Sequence, residues 1–208
     1  MAAVPAVAIQ KLNSRHREDI KRHLLQLPAE DRRLRFGQQI RDEAVRAYVD
    51  GIDFARDRVF GVQDPGLELV GVAHLALDPV AQAAELGLSV HPLARVRGFG
   101  FALLQRAVLH AANLGYRALF MYCLAENRIM MHLATKAGLT VVIEAGEADA
   151  RLELDRRAHG GALREAMADQ FALIDVMLKQ QYLWLARPNS VDEVLARERG
   201  EVTRAAVG

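Results

Sequence analysis

The chain has 208 residues, 51% of them hydrophobic, which is enough for one domain of ordinary size with a sizeable core. Charged residues make up 25% of the chain and the formal net charge is +1, which excludes disorder throughout and any general attraction to nucleic acid or membrane surfaces. A single cysteine, Cys123, excludes a disulfide framework and is typical of a reducing compartment.

The first residues give no targeting signal. Residues 1–10 are apolar but short and lack a basic leader, so they do not predict a signal peptide. No window reaches the about 18 uninterrupted apolar residues of a transmembrane helix. We therefore expect a cytoplasmic protein that is not embedded in a membrane.

The first quarter of the chain predicts one short strand and two helices. Residues 6–12 have the length of an edge strand, and residues 15–27 have a charged helical pattern with Ser14 as N-cap. Residues 29–37 are a dense charge cluster, which indicates either a solvated helical turn or a lip over a substrate cleft. In residues 38–52, four side chains at four-residue spacing predict the buried face of a helix: Ile40, Ala44, Tyr48 and Ile52.

The middle of the chain predicts a sheet around a central helix. Three runs joined by short connections indicate an antiparallel meander, with strands at residues 58–62, 67–77 and 82–90. A helical pattern that ends at Gly115 follows, with its buried face marked by Phe101, Leu104, Val108 and Ala111. Because the next run comes after this helix, we expect it to form a strand parallel to the third one. This parallel strand is predicted at residues 118–124, and a short helix follows at residues 126–137. The last two strands are predicted at residues 139–143 and 150–154 and could pair with each other.

The composition changes at Asp155, which predicts two parts: residues 1–155 as the main domain and residues 156–208 as a helical extension. Apolar side chains recur at three- and four-residue spacing over residues 163–185, the pattern of a long amphipathic helix. Its apolar stripe either packs against the domain or serves as a homodimer surface or substrate lid. A last short helix is expected from Val191.

A glycine loop lies between the third strand of the meander and the central helix. It reads Arg95-Val96-Arg97-Gly98-Phe99-Gly100. A helix N-terminus has free backbone N–H groups and a positive dipole end, so such a loop is suited to hold a phosphate or pyrophosphate. The alternative is a plain tight turn between strand and helix.

A second motif follows in the later short helix, where residues 127–139 read Asn-Arg-Ile-Met-Met-His-Leu-Ala-Thr-Lys-Ala-Gly-Leu. Together the two motifs resemble those of the GNAT superfamily of acyl-CoA-dependent N-acetyltransferases, over about residues 7–154. The glycine loop resembles that family's Gln/Arg-x-x-Gly-x-Gly/Ala, and the later segment matches the Asn, Leu, Lys and Gly of its second signature. The resemblance implies an α/β fold with a mixed, mostly antiparallel sheet and a splayed parallel strand pair, here with a C-terminal helical extension.

The resemblance also implies acetyl-CoA as co-substrate and no metal. In the family, the acyl-pantetheine arm inserts beside the fourth strand and bonds to its backbone, here that of Leu88, Ser89 and Val90. The residues that this resemblance and the glycine chemistry assign to the cofactor are these three together with Arg95, Val96, Arg97, Gly98, Phe99, Gly100, Phe101, Asn127, Met130 and Leu133. The acceptor would be an amine of a small molecule or of a protein. Residues 31–37 also resemble the start of the acetyltransferase domain in some bacterial protein-lysine acetylases.

Acyl transfer to an amine needs a base, because only the neutral amine attacks. Glu85 is the first candidate, since it lies on the strand where some family members place a catalytic Glu; its alternative is a solvent-facing strand residue. Glu126 is the second candidate, or else a partner of the helix dipole. The family's usual acid is a Tyr four residues before the motif glycine, and this chain has Ala134 there. Tyr122, Cys123 and His132 are the other candidate acids, and His74 is either a core or a catalytic histidine.

Three hypotheses therefore remain at this point. The first is an N-acetyltransferase that uses acetyl-CoA and Glu85. The second, motivated by Ala134, is a non-catalytic module that binds acyl-CoA. The third is an interaction protein that acts through its C-terminal helix.

Overall fold

The computed structural model describes residues 7–154 and 161–185. Within them the strands are β1 Gln10–Leu12, β2 Arg58–Gln63, β3 Leu69–Asp78, β4 Ala83–Val90, β5 Ala118–Leu124, β6 Thr140–Glu144 and β7 Glu147–Glu153. The α-helices are α1 Arg17–Gln26, α2 Ala29–Phe36, α3 Asp42–Asp50, α4 Phe99–Asn113, α5 Arg128–Lys136 and α6 Gly161–Leu185. Two short 3₁₀ helices, Ser14–His16 and Pro92–Ala94, precede α1 and α4.

The strands form one mixed sheet in the order β1-β2-β3-β4-β5-β7-β6. Neighbours are antiparallel except β4 and β5, so the predicted meander and the predicted parallel strand are both confirmed. The predicted last strand pair is also present, but β7 lies between β5 and β6. After β5 the chain therefore first forms the edge strand β6 and then returns as β7, which fills the position between β5 and β6.

The sheet opens between β4 and β5. The two strands pair only from Ala83 with Ala118 to Glu85 with Phe120. Beyond that point β4 stays bonded to β3 as far as Val90, and β5 stays bonded to β7 as far as Leu124. One edge of β4 is thus left without a strand partner over its last five residues.

Apolar layers cover both faces of the sheet. On one face α4 packs on β2, β3 and β4, in a core that includes Phe60, Leu75, Leu86, Leu88, Leu103 and Leu104. On the other face α1 and α3 pack around Ile20, Leu24, Val45, Val49 and Val59. Since side chains alternate along a strand, Leu86 and Leu88 of β4 point to α4, while Glu85, Gly87 and Ser89 point to the side of α1 and α2.

Two details of the early helices differ from the prediction. The cap is Asn13 rather than Ser14, and it caps the first 3₁₀ helix, because its side chain accepts from the Arg15 amide at 3.0 Å. In α3 the buried side chains are Val45 and Val49, whereas Ala44 is exposed. The other three predicted side chains do face this core, since Ile52 is buried and both Ile40 and Tyr48 pack against it, so Ala44 is the one wrong member of the predicted face.

The long helix α6 has one face on the domain, where it contacts α4 and β1. Arg106 of α4 forms an ion pair with Asp169, Lys179 Nζ donates to the Gln63 carbonyl at 2.9 Å, and Ala172 is buried. Four apolar side chains of the same helix are 51–65% exposed: Leu173, Ile174, Met177 and Leu178. Packing on the domain therefore uses only part of the stripe, and a homodimer through this helix stays a prediction.

The predicted boundary at Asp155 and the predicted helix from Val191 lie outside the described residues. Among the helices that the structure describes, none has the length and apolar character needed to cross a membrane.

Candidate active site

The glycine loop joins the open end of β4 to the first turn of α4. Gly98 is the residue before α4 and has φ +80°, and a Cβ there would meet nothing within 4 Å. No side chain caps this helix, so its first amides have no intrahelical partner. Val96 also has a positive φ, of 56°, and its side chain is fully exposed. A β-branched residue in that region is strained, and such strain is common at ligand sites.

A cleft of about 480 Å³ runs from this loop along the free edge of β4. Its walls are β4, α4, α5 and α2. All but one of the residues assigned to the cofactor line it: Leu88, Ser89, Val90, Arg95, Val96, Gly98, Phe99, Gly100, Phe101, Asn127, Met130 and Leu133. The exception is Arg97, whose guanidinium lies 4.9 Å from the centre of the Phe99 ring.

Among the lining side chains, Arg95 and Asn127 already have partners in the protein. The Arg95 guanidinium pairs with Asp31 of α2 at 2.6 Å, and its Nε donates to the Val90 carbonyl at 3.3 Å. Asn127 caps α5, since its Oδ1 accepts from the Met130 amide at 3.1 Å. Arg95 is therefore not a free cation, and Asn127 has a structural role that its motif did not reveal.

Helix α2 spans the mouth of the cleft. Asp31 ties it to the glycine loop through Arg95, and Arg33 ties it to the start of α5 through Glu126 at 2.5 Å. The charge cluster at residues 29–37 thus forms a helix at the lip of the cleft. Glu126, the second candidate base, lies exposed in that ion pair.

A second pocket, of about 430 Å³, adjoins the cleft, and Arg35 lines both of them. Three carboxylates line it: Glu85, Glu147 and Asp149. Within the described part of the chain, no hydrogen bond or ion pair holds the carboxylate of Glu85, which is exposed. We call this second space the acidic pocket.

Tyr122 and Cys123 line the same pocket from β5. Burial raises the pKa of Tyr122, and the nearby carboxylates of Asp149 and Glu85 raise it further. Burial also raises the pKa of the Cys123 thiol, again with a contribution from Asp149. Both groups therefore keep their protons at neutral pH.

A chain of hydrogen bonds lies along one wall of the acidic pocket. Arg35 Nη2 donates to the Tyr48 hydroxyl at 2.9 Å, the Tyr48 hydroxyl lies 2.7 Å from His74 Nδ1, and His74 Nε2 lies 3.2 Å from Asp57 Oδ2. The sequence treated Tyr48 as a core residue and His74 as an undecided one, and it did not single out Asp57. A histidine inside an otherwise apolar strand was the one signal that pointed here.

Gly87 lets Arg35 reach this wall. A Cβ at Gly87 would stand 2.0 Å from Arg35 Nη2, so the guanidinium lies directly against the backbone of β4. His74 is the residue opposite Gly87 in the β3–β4 pair. The hydrogen-bonded chain and Arg35 thus meet β4 just beyond the point where β5 leaves it.

The side chain of Ser89 is hydrogen-bonded to a buried histidine, His23. The Ser89 hydroxyl lies 2.9 Å from His23 Nε2, and His23 Nδ1 lies 3.0 Å from the Leu69 carbonyl. Because a carbonyl can only accept, Nδ1 carries the proton and Nε2 accepts from Ser89. Burial lowers the pKa of His23 to about 4, so the ring is neutral at physiological pH.

The residue at the position of the family's usual acid, Ala134, does not line the cleft. Ala134 is buried in the core beside α4. His132 lines the cleft beside the glycine loop, whereas Tyr122 and Cys123 line the acidic pocket. None of the three lies where the motif tyrosine would stand.

Comparison with known proteins identifies the family. The acetyltransferase (GNAT) family profile matches residues 23–139, which is more than half of the chain. The protein therefore belongs to the GNAT family and is an N-acetyltransferase of that type. A search of curated proteins finds no match.

Solved structures share the fold at low sequence identity. The GNAT domain of S. lividans PAT is 19% identical, covers 70% of this chain and 89% of its own, and has a TM-score of 0.61. Salmonella typhimurium yncA, solved with acetyl-CoA, is 18% identical, covers 74% and 96%, and has a TM-score of 0.54. Spermidine N-acetyltransferase from Vibrio cholerae, solved with CoA and spermine, is 18% identical, covers 70% and 92%, and has a TM-score of 0.55.

The likeness confirms the predicted fold class. The described residues hold no group of three or more His, Cys, Asp or Glu side chains arranged to bind a metal ion.

Proposed function

We propose that this protein transfers the acetyl group of acetyl-CoA to the nitrogen of a cationic primary amine, by direct attack on the thioester. One observation carries the proposal. The cofactor cleft and the acidic pocket meet at Gly87 and Arg35, just past the point where β4 and β5 separate. A thioester laid along β4 and an amine held by the carboxylates would therefore come together at the same place.

The cofactor half of the proposal rests on the glycine loop and on β4. The free amides at the start of α4 suit the pyrophosphate, and the open edge at Leu88, Ser89 and Val90 suits the amides of the pantetheine arm. Since Arg95 Nε now bonds to the Val90 carbonyl, binding of the arm would require Arg95 to turn away. Its guanidinium would then be available to a phosphate.

The acceptor half rests on charge. Three carboxylates and one guanidinium line the acidic pocket, and this excess of negative charge favours a protonated amine over a neutral or acidic acceptor. The structural likeness to a spermidine N-acetyltransferase supports polyamines as a first group to test, and the likeness to the GNAT domain of PAT supports peptides. Glu85 is part of this charge, and the proposed transfer does not depend on Glu85 being the base.

The test is turnover of acetyl-CoA by the full chain with a panel of amines. The panel would contain spermidine, spermine, a lysine peptide and a peptide with a free N-terminus, with an N-blocked lysine-free peptide as control. We expect release of the CoA thiol with at least one amine and none with the blocked peptide. Binding of acetyl-CoA without turnover across the panel would contradict the proposal.

A further inference from the structure

The hydrogen-bonded wall of the acidic pocket has one determined arrangement of protons. Asp57 is almost fully buried, and burial alone would raise its pKa. Hydrogen bonds from Arg56, the Leu77 amide and His74 together outweigh burial and lower it, so the carboxylate is ionised. An ionised carboxylate only accepts, so the proton on His74 is at Nε2, facing Asp57.

This assignment fixes the Tyr48 hydroxyl as well. With Nε2 protonated, the Nδ1 atom of neutral His74 is an acceptor, so Tyr48 donates to it at 2.7 Å. The Tyr48 oxygen also accepts from Arg35 at 2.9 Å. A hydroxyl has one donor and two acceptor positions, so one lone pair of Tyr48 is left for a further donor.

The pocket supplies the place for that donor. Tyr48, His74 and Glu85 all line the acidic pocket, where the proposed amine would sit. His74 lies opposite Gly87, and so the chain borders the segment of β4 where the thioester would be held. An ammonium bound there could donate its N–H to Tyr48.

We propose that Tyr48, His74 and Asp57 form the proton relay that deprotonates the acceptor amine, with Tyr48 as the catalytic residue and His74 and Asp57 positioned behind it. The proposal rests on the proposed function. The base is then Tyr48 of α3, supported by His74 of β3 and by Asp57 of the loop before β2. Glu85 contributes only negative charge that helps to bind the ammonium.

The relay takes one proton from the ammonium before the attack. The ammonium gives one proton to the Tyr48 oxygen while the Tyr48 hydroxyl proton moves to His74 Nδ1. The neutral amine then attacks the thioester carbonyl, the new C–N bond forms, and the C–S bond breaks. The remaining extra proton on nitrogen passes to the CoA thiolate, and His74 returns the first proton to solvent. The products are the acetamide, the CoA thiol and one proton.

One carboxylate and two cations face His74. Burial lowers its pKa, Asp57 opposes that shift, and the cations Arg35 and Arg56 add to it. Glu85 lies on the neighbouring strand, opposite Ala76. His74 is thus neutral at physiological pH and ready to accept, while Asp57 stabilises the imidazolium that forms briefly.

The test compares Tyr48→Phe with wild type in acetyl transfer to the best amine of the panel, from pH 7 to pH 9.5. The phenyl ring keeps its packing on Phe36, at 5.2 Å between ring centres, so the fold is expected to survive. We expect kcat at pH 7 to fall by about 100-fold or more, the range of general-base effects, with unchanged affinity for acetyl-CoA. Because a lysine-like amine has a pKa of about 10.4, the variant's rate should rise about tenfold per pH unit and the deficit should shrink.

Three further measurements sharpen the result. Tyr116→Phe makes the same chemical change away from both pockets and should leave the rate unchanged. His74→Gln should show the same deficit and the same recovery at high pH as Tyr48→Phe. Nitrogen NMR of histidine-labelled wild type, assigned with His74→Gln, should show His74 protonated at Nε2, whether or not an acceptor is present.

The outcomes separate the two proposals. Equal rates for wild type and Tyr48→Phe at every pH, or a parallel deficit that does not recover, would overturn the relay while acetyl transfer itself stands. A loss confined to Glu85→Gln would assign the base to Glu85 instead. A His74 ring protonated at Nδ1 would also overturn the relay, and no turnover by wild type would overturn both proposals.

Discussion

At the scale of single residues, Gly98 combines a left-handed backbone conformation with a place in the loop that is proposed to hold the cofactor. A Cβ would meet no neighbouring atom, so the cost of Gly98→Ala comes from φ +80° alone. We expect that variant to lose about 1–2 kcal/mol of unfolding free energy and to bind acetyl-CoA at least several-fold more weakly, because relaxation of φ moves the first amides of α4. Urea unfolding and calorimetric titration with acetyl-CoA measure the two effects.

Gly146→Ala is the matched control for that change. Gly146 lies in the β6–β7 turn with φ +89° and equally empty surroundings. It should cost similar stability and leave acetyl-CoA affinity unchanged. Equal loss of affinity in both variants would mean that the Gly98 loop does not hold the cofactor.

His23 gives the protein a stability that depends on pH. Its pKa is about 4 in the fold because the ring is buried, against about 6.5 in an unfolded chain. Between these values the unfolded chain binds more protons, so stability is greatest above pH 6.5 and falls on acidification. We expect this one group to remove about 3 kcal/mol of unfolding free energy by pH 4.

Urea unfolding from pH 7 to pH 4 measures this loss. His23→Gln is expected to be less stable at pH 7 but to show a flatter pH dependence. His132→Gln, at an exposed position, should retain the full loss. An unchanged slope in His23→Gln would contradict the assignment.

At the scale of elements, α2 is held across the cleft by two ion pairs. Asp31 forms an ion pair with the guanidinium of Arg95, which lies beside the proposed phosphate site. Arg95 also donates a hydrogen bond to the Val90 carbonyl. Removing the carboxylate would free the cation and reduce repulsion of the phosphates. Asp31→Asn is therefore expected to tighten acetyl-CoA binding by about 2–5-fold, on the order of one exposed charge interaction.

Calorimetric titration at low and high salt measures this change, since a charge effect weakens with ionic strength. Asp19→Asn, which removes an exposed carboxylate of α1 from its pair with Arg22, is the control and should leave the affinity unchanged. Weaker binding by Asp31→Asn would show instead that the pair shapes the cleft for the cofactor.

At the scale of the whole molecule, α6 has two different faces. Ala172 is buried on the domain side, while its neighbour Leu173 is 51% exposed. Ala172→Asp places an unpaired carboxylate in the interface, and we expect a loss of about 2–4 kcal/mol of stability or release of α6. Leu173→Asp is the matched change on the other face and should cost under about 0.5 kcal/mol in a monomer.

Light scattering of the same two variants tests the predicted homodimer. If the exposed face of α6 joins two copies, Leu173→Asp should reduce the molar mass from dimer to monomer. If wild type is already monomeric, the dimer prediction is wrong, and the stability difference between the two variants still reports which face packs on the domain.

Local sequence patterns predicted most of the strands and helices, and they also predicted the loop that is proposed to hold the cofactor. Strand and helix patterns depend on local spacing, and the glycine loop and the Asn127 segment are contiguous, so both could be recognised without coordinates. The prediction of which side chains a single helix buries was less accurate, as the exposed Ala44 of α3 shows. The residues before Asp42 had the spacing of a helix without being in one.

The proposed acceptor half could not be recognised from the sequence. Arg35, Tyr48, Asp57 and His74 come from α2, α3, the loop before β2 and β3, and no spacing along the chain announces that they form one hydrogen-bonded wall. Arg35 belongs to α2 and Gly87 to β4, so their contact depends on how α2 packs on the sheet. The physical reason is that a phosphate cradle is built from consecutive backbone amides, whereas an acceptor pocket is built from side chains that meet only after the sheet has opened between β4 and β5.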